Sequence, residues 1–78
     1  MKEKKDRKQL NCIKKVLDQK GIKQVWLTQQ LGRSYHMVNS FVCNRKQPSL
    51  ETLFQIAGIL DVEVKDLIAE KESKNLTT

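Results

Sequence analysis

An all-α domain of five helices is predicted by three observations. Apolar residues recur at intervals of three and four along most of the chain. Residues that start and stop helices fall between those runs. No apolar–polar alternation of period two lasts long enough to make a strand. Seventy-eight residues leave room for one small domain.

Leu10, Ile13, Val16 and Leu17 recur at helical spacing, so a first helix runs to about Gln19, and Gly21 ends it. Leu27 and Leu31 mark a short second helix that stops at Gly32. Ser34 is a good N-cap for a third helix, whose inner face is Val38 and Phe41. Asn44 tolerates the left-handed conformation that closes it. Pro48 and Ser49 announce a fourth helix: Ser49 caps it, and Glu51 in its first turn suits the helix dipole. Its expected core face is Leu50, Leu53, Ile56, Ala57 and Leu60. A fifth helix from about Val64 is expected to bury Leu67 and Ile68. The domain so defined spans residues 10–68, between a basic lead-in at 1–9 and a polar tail at 69–78.

Composition narrows the function. The chain is 38% hydrophobic and 31% charged, a globular balance rather than that of a wholly disordered chain. No apolar run approaches the roughly 20 residues that span a bilayer, and no secretory core follows the basic start; a cytoplasmic protein with no membrane partner is expected. Cys12 and Cys43 lie 31 positions apart, and His36 is the only histidine. That inventory has no metal spacing, so no metal or other cofactor is expected, and unpaired thiols suit a reducing compartment. No pair of catalytic groups stands at workable spacing, which argues against an enzyme.

The formal charge of +6 conceals a gradient. Residues 1–50 carry twelve basic and three acidic side chains, a net of +9; residues 51–78 have a net of −3. Between Asp18 and Glu51 there is no carboxylate, while Lys20, Lys23, Arg33, Arg45 and Lys46 lie in that interval. A surface cleared of acids is what binding a polyanion requires, because each carboxylate there repels phosphate. The lead-in, with Lys2, Lys4, Lys5, Arg7 and Lys8, is either a solvated end or an arm that follows a nucleic-acid backbone.

Gly21, Ile22, Gln24, Leu27, Leu31, Gly32, Ser34, Val38, Phe41, Asn44, Pro48, Ser49, Leu50, Thr52 and Leu53 stand without a gap in the register of a known motif. The stretch resembles the Cro/repressor (XRE-type) helix-turn-helix family, and the likeness extends over about residues 10–68. The resemblance implies a five-helix, lambda-repressor-like DNA-binding domain. The spacing makes physical sense on its own terms. Gly32 permits a sharp turn between two helices. The apolar set holds them at a fixed angle, so that the third helix projects and fits the B-DNA major groove.

By that resemblance, Tyr35, His36, Asn39 and Ser40 stand at base-reading positions. Asn39 can pair bidentately with adenine, Tyr35 can press on a thymine methyl, and His36 can donate to guanine. The family uses a residue such as Gln24 to grip a phosphate and brace the recognition helix, with nearby helix-N-terminal amides adding to the grip. Lys23, Arg33, Asn44, Arg45 and Lys46 flank the reading face as phosphate contacts. The resemblance also implies a homodimer on double-stranded DNA with an inverted repeat, acting as a transcriptional regulator, in first place a repressor.

The departures from the pattern carry their own expectations. Lys23 occupies the usual Ser/Thr cap, which weakens the start of the second helix by about 1 kcal/mol. Thr28 replaces a small alanine, so its hydroxyl must find a carbonyl. Asp61 replaces a frequent glycine, and Val42 and Cys43 replace a commonly polar pair. Val25 and Trp26 lie on a side of the second helix that is usually polar, and either fold back into the core or anchor a second copy or another protein. The alternatives are therefore an antitoxin that binds a toxin and autoregulates its operon, a restriction–modification controller, and an interaction module without DNA binding.

Overall fold

The computed structural model describes residues 9–69, which fold as four α-helices and a closing 3-10 turn. The helices are α1 (Ile13–Lys20), α2 (Gln24–Leu31), α3 (Tyr35–Val42) and α4 (Leu50–Leu60), and the turn is Val64–Leu67. Most of the lead-in and tail lies outside the described residues. The expected stop signals act where the sequence puts them. Gly21 (φ 67°) and Gly32 (φ 72°) take left-handed conformations at the ends of α1 and α2, and Asp61 (φ 60°) does so after α4. Asn44 (φ 61°) turns the chain just beyond α3. Ser34 Oγ accepts from the Met37 amide, and Ser49 Oγ from the Thr52 amide, each at 3.1 Å, so both helices start on satisfied donors. Lys23 makes no side-chain cap.

One core joins all the elements. Ile13, Val16 and Leu17 from α1, Leu27 from α2, Val38, Phe41 and Val42 from α3, and Leu53, Ile56, Ala57 and Leu60 from α4 are buried together with Leu67. Leu31 and Met37 pack against this set while partly exposed.

Four expectations need correction. Among the described residues there is no fifth α-helix: the chain makes one 3-10 turn and becomes extended at Ile68 (ψ 130°), where it forms an antiparallel bridge with Asn11. The Cys12 amide donates to Leu67 O at 2.7 Å and the Ala69 amide to Leu10 O at 2.9 Å, bonds that a continuing helix would forfeit. Extended backbone sends neighbouring side chains to opposite sides, so Leu67 is fully buried and Ile68 is 49% exposed. Leu10 precedes α1 in this same paired segment and is also exposed. Leu50, expected in the core, is 65% exposed. Side chains lean towards a helix's N-terminus, and Leu50 is the first residue of α4, so it leans past the helix end.

Candidate nucleic-acid interface

Helices α2 and α3 are joined by three residues, Gly32 to Ser34. The Gly32 amide donates to Thr28 O at 3.0 Å, closing α2 before the chain reverses. Leu27 and Val38 meet in the core and fix the pair from within. The Thr28 hydroxyl donates to Gln24 O at 3.0 Å, the carbonyl its position requires. The α2–α3 unit therefore tolerates threonine in place of alanine, because its one polar atom is satisfied inside its own helix.

The outer side of α3 opens with Tyr35, 52% exposed, and His36, also exposed. Asn39 follows one turn later and is half-buried. Its Oδ1 accepts from Gln24 Nε2 at 3.1 Å and from Cys43 Sγ at 3.7 Å. Gln24, at the start of α2, is thus a brace on the middle of α3. Its Oε1 has no partner among the described residues, and none of their buried side-chain oxygens or nitrogens lacks one, so that oxygen is not buried.

Ser40 is corrected. It is only 9% exposed, and its hydroxyl proton is donated to His36 O at 3.1 Å inside its own helix, so it cannot donate to a base as it stands. Asn44 has most of its amide engaged within the protein. Oδ1 accepts from the amides of Leu10 (2.8 Å) and Asn11 (3.0 Å) and from Gln47 Nε2 (3.1 Å), while Nδ2 donates to Asn11 O (3.2 Å). Asn44 is a clasp between the turn after α3 and the segment before α1, with one Nδ2 proton that has no partner among the described residues.

Lys23, Arg33, Arg45 and Lys46 are all exposed. Arg33 donates to Thr52 Oγ1 at 3.1 Å, which leans it across the start of α4. The Arg45 and Lys46 amides both donate to Ser40 O, so the backbone of this basic pair is fixed against the end of α3. Both helices are free of carboxylates, and this surface presents positive charge without local repulsion of a polyanion.

Two residues in the clasp have no counterpart in the sequence reading: Asn11 and Gln47. Asn11 Nδ2 donates to Phe41 O and to Gln47 Oε1, each at 2.9 Å, and its Oδ1 accepts from the Ile13 amide at the start of α1. Buried asparagine is uncommon, and here every polar atom is used. The Asn11 Nδ2 partners are 30 and 36 positions away, so only its bond to the Ile13 amide could have been read locally.

Val25 and Trp26 are 50% and 40% exposed, so neither is fully covered by the core. Phe54 is exposed on α4 one turn after Leu50, beside an open groove lined by Gly58, Val62 and Val64. Among the described residues no group of three or more His, Cys, Asp or Glu is placed to hold a metal, and Cys12 and Cys43 are free thiols. No described helix is long and apolar enough to cross a membrane.

This arrangement of a short brace helix, a glycine turn and a projecting helix agrees with what the chain is similar to. A model of the Cro/C1-type helix-turn-helix DNA-binding domain matches residues 12–71. No curated protein matches the chain. A crystal structure from Bacteroides fragilis, described as a candidate DNA-binding protein, is 38% identical with a TM-score of 0.75. That match covers 77% of this chain and 97% of the other. With the family model spanning all four helices and the closing turn, the chain belongs to the Cro/C1-type helix-turn-helix DNA-binding family.

Proposed function

We propose that this protein is a sequence-specific transcriptional repressor that reads the DNA major groove with α3, as a homodimer on an inverted repeat. The observation that carries this reading is the α2–α3 unit. Tyr35, His36 and Asn39 are offered on one projecting helix, Gln24 braces it, and no carboxylate lies between Asp18 and Glu51. The B. fragilis protein's description points the same way. Phosphates fall to Gln24, Lys23, Arg33, Arg45 and Lys46, and half-sites lie about one helical turn apart. The protein binds rather than catalyses, and acts in the cytoplasm.

Selection of bound duplexes from a random-sequence pool at about 0.15 M salt, where nonspecific binding is weak, tests the reading. A palindromic motif is expected. A single, non-repeated motif would remove the dimer, and a pool with nothing enriched would remove sequence-specific binding.

A second reading is favoured by one feature, the exposed Val25–Trp26 pair on α2. An antitoxin or other autoregulator that holds a protein partner needs an aromatic anchor of this kind outside the DNA face. A restriction–modification controller differs only in its genomic neighbours. An interaction module without DNA binding is the weakest reading, since it gives no reason for the acid-free stretch.

A further inference from the structure

We infer that Asn39 selects guanine rather than adenine in each half-site, because the protein itself occupies the acceptor side of its amide. The inference rests on the DNA-reading role of α3 proposed above. A carboxamide oxygen has two lone pairs. In Asn39 both are engaged, one by Gln24 Nε2 at 3.1 Å and one by the Cys43 thiol at 3.7 Å. Turning Asn39 round alone would set its NH2 against the Gln24 NH2, so the two amides are held in register with each other, Gln24 donating and Asn39 accepting.

The other end of the group is open. Asn39 Nδ2 donates to no acceptor among the described residues. Since none of their buried side-chain nitrogens is unpartnered, Nδ2 reaches the surface. It lies one turn beyond the exposed Tyr35, on the same side of α3. Asn39 therefore offers two N–H donors and no acceptor.

Adenine presents N7 as an acceptor and N6–H2 as a donor, so its bidentate recognition by asparagine requires the oxygen that Gln24 and Cys43 hold. Guanine presents N7 and O6, both acceptors, which the two protons of one NH2 can satisfy together. Thymine O4 offers a single acceptor and is the weaker match, while cytosine N4–H2 opposes donor with donor. Gln24 thus sets specificity through Asn39 without touching the base, and is a positioning residue for that contact.

The test compares motifs selected from a random pool by the full-length wild type, Asn39→Ala and Gln24→Ala. The chosen duplex is then remade with 7-deazaguanine at single positions and bound by wild-type protein. One position should lose its preference in Asn39→Ala, and the wild type should select guanine there. Removing N7 at that guanine should weaken wild-type binding by about 5- to 150-fold. Gln24→Ala, which frees Oδ1, should let adenine in at the same position. An enriched motif whose Asn39-dependent position is adenine or a pyrimidine overturns this inference while leaving the DNA-binding reading intact. So does a motif with no Asn39-dependent position, or a guanine there that tolerates loss of N7. A pool with no enriched motif overturns the DNA-binding reading itself, and this inference with it.

Discussion

Replacing Asn44 with glycine isolates what its side chain does, because glycine accepts the φ of 61° without strain. Four hydrogen bonds are lost, two of them part-buried and two exposed. At about 1 kcal/mol for each part-buried bond and about half that for each exposed one, the loss is about 3 kcal/mol. The extra freedom of glycine in the unfolded chain adds about 0.5 kcal/mol. A core of this size supplies only about 3–5 kcal/mol net, so Asn44→Gly should be close to its folding threshold. Urea unfolding followed by far-ultraviolet circular dichroism measures this. With a slope of about 1 kcal/mol/M, the midpoint should fall by about 3.5 M, or the variant should be partly unfolded without urea. Asn44→Ala should lose a further 1 kcal/mol or so, since it also pays the left-handed strain. If Asn44→Gly stays within about 0.5 kcal/mol of wild type, the clasp contributes nothing and the argument from its four bonds is refuted. An alanine variant more stable than the glycine one would equally refute the backbone part.

Arg45→Ala should weaken binding to all duplexes alike and flatten the dependence of log K on log salt by about one unit; an unchanged slope removes Arg45 from the phosphate contacts. Ser34→Ala should cost about 1 kcal/mol of stability in the same urea assay, because the Met37 amide loses its acceptor at the start of α3. If a second copy or another protein covers Trp26, its fluorescence should shift to the red on dilution to nanomolar protein, or to the blue when that protein is added. Emission that responds to neither would place Trp26 outside any interface.

The helix starts and stops were legible in the sequence because each depends on one residue's own conformational preference. Gly21 and Gly32 accept positive φ, Ser34 and Ser49 supply an oxygen at the right offset, and Asp61 and Asn44 take the left-handed turn. Thr28 was legible for the same reason, since a hydroxyl inside a helix has a carbonyl four residues back. Errors gathered where periodicity was extended past a helix end. Leu10, Leu50 and Ile68 fit the apolar rhythm, yet none has a packed turn on both sides, and all three are exposed. At the site, Tyr35 and His36 are exposed on α3 with Asn39 half-buried one turn later, whereas Ser40 and most of the Asn44 amide are engaged with partners inside the protein.

By itself, then, the sequence determined four helices, their caps, the acid-free basic surface and membership of a DNA-binding family. These follow from local backbone preference, apolar spacing and net charge, none of which needs a distant partner. Tertiary structure alone decided that the last element is a turn, since pairing Asn11 with Ile68 competes with a helix there. It also decided which polar side chains are free. Asn39 and Asn44 are the same residue type five positions apart, and only their neighbours separate an open surface NH2 from a clasp held by four hydrogen bonds. A side chain's hydrogen-bonding capacity is written in its chemistry, but what remains of that capacity is set by groups that folding brings within 3 Å or so.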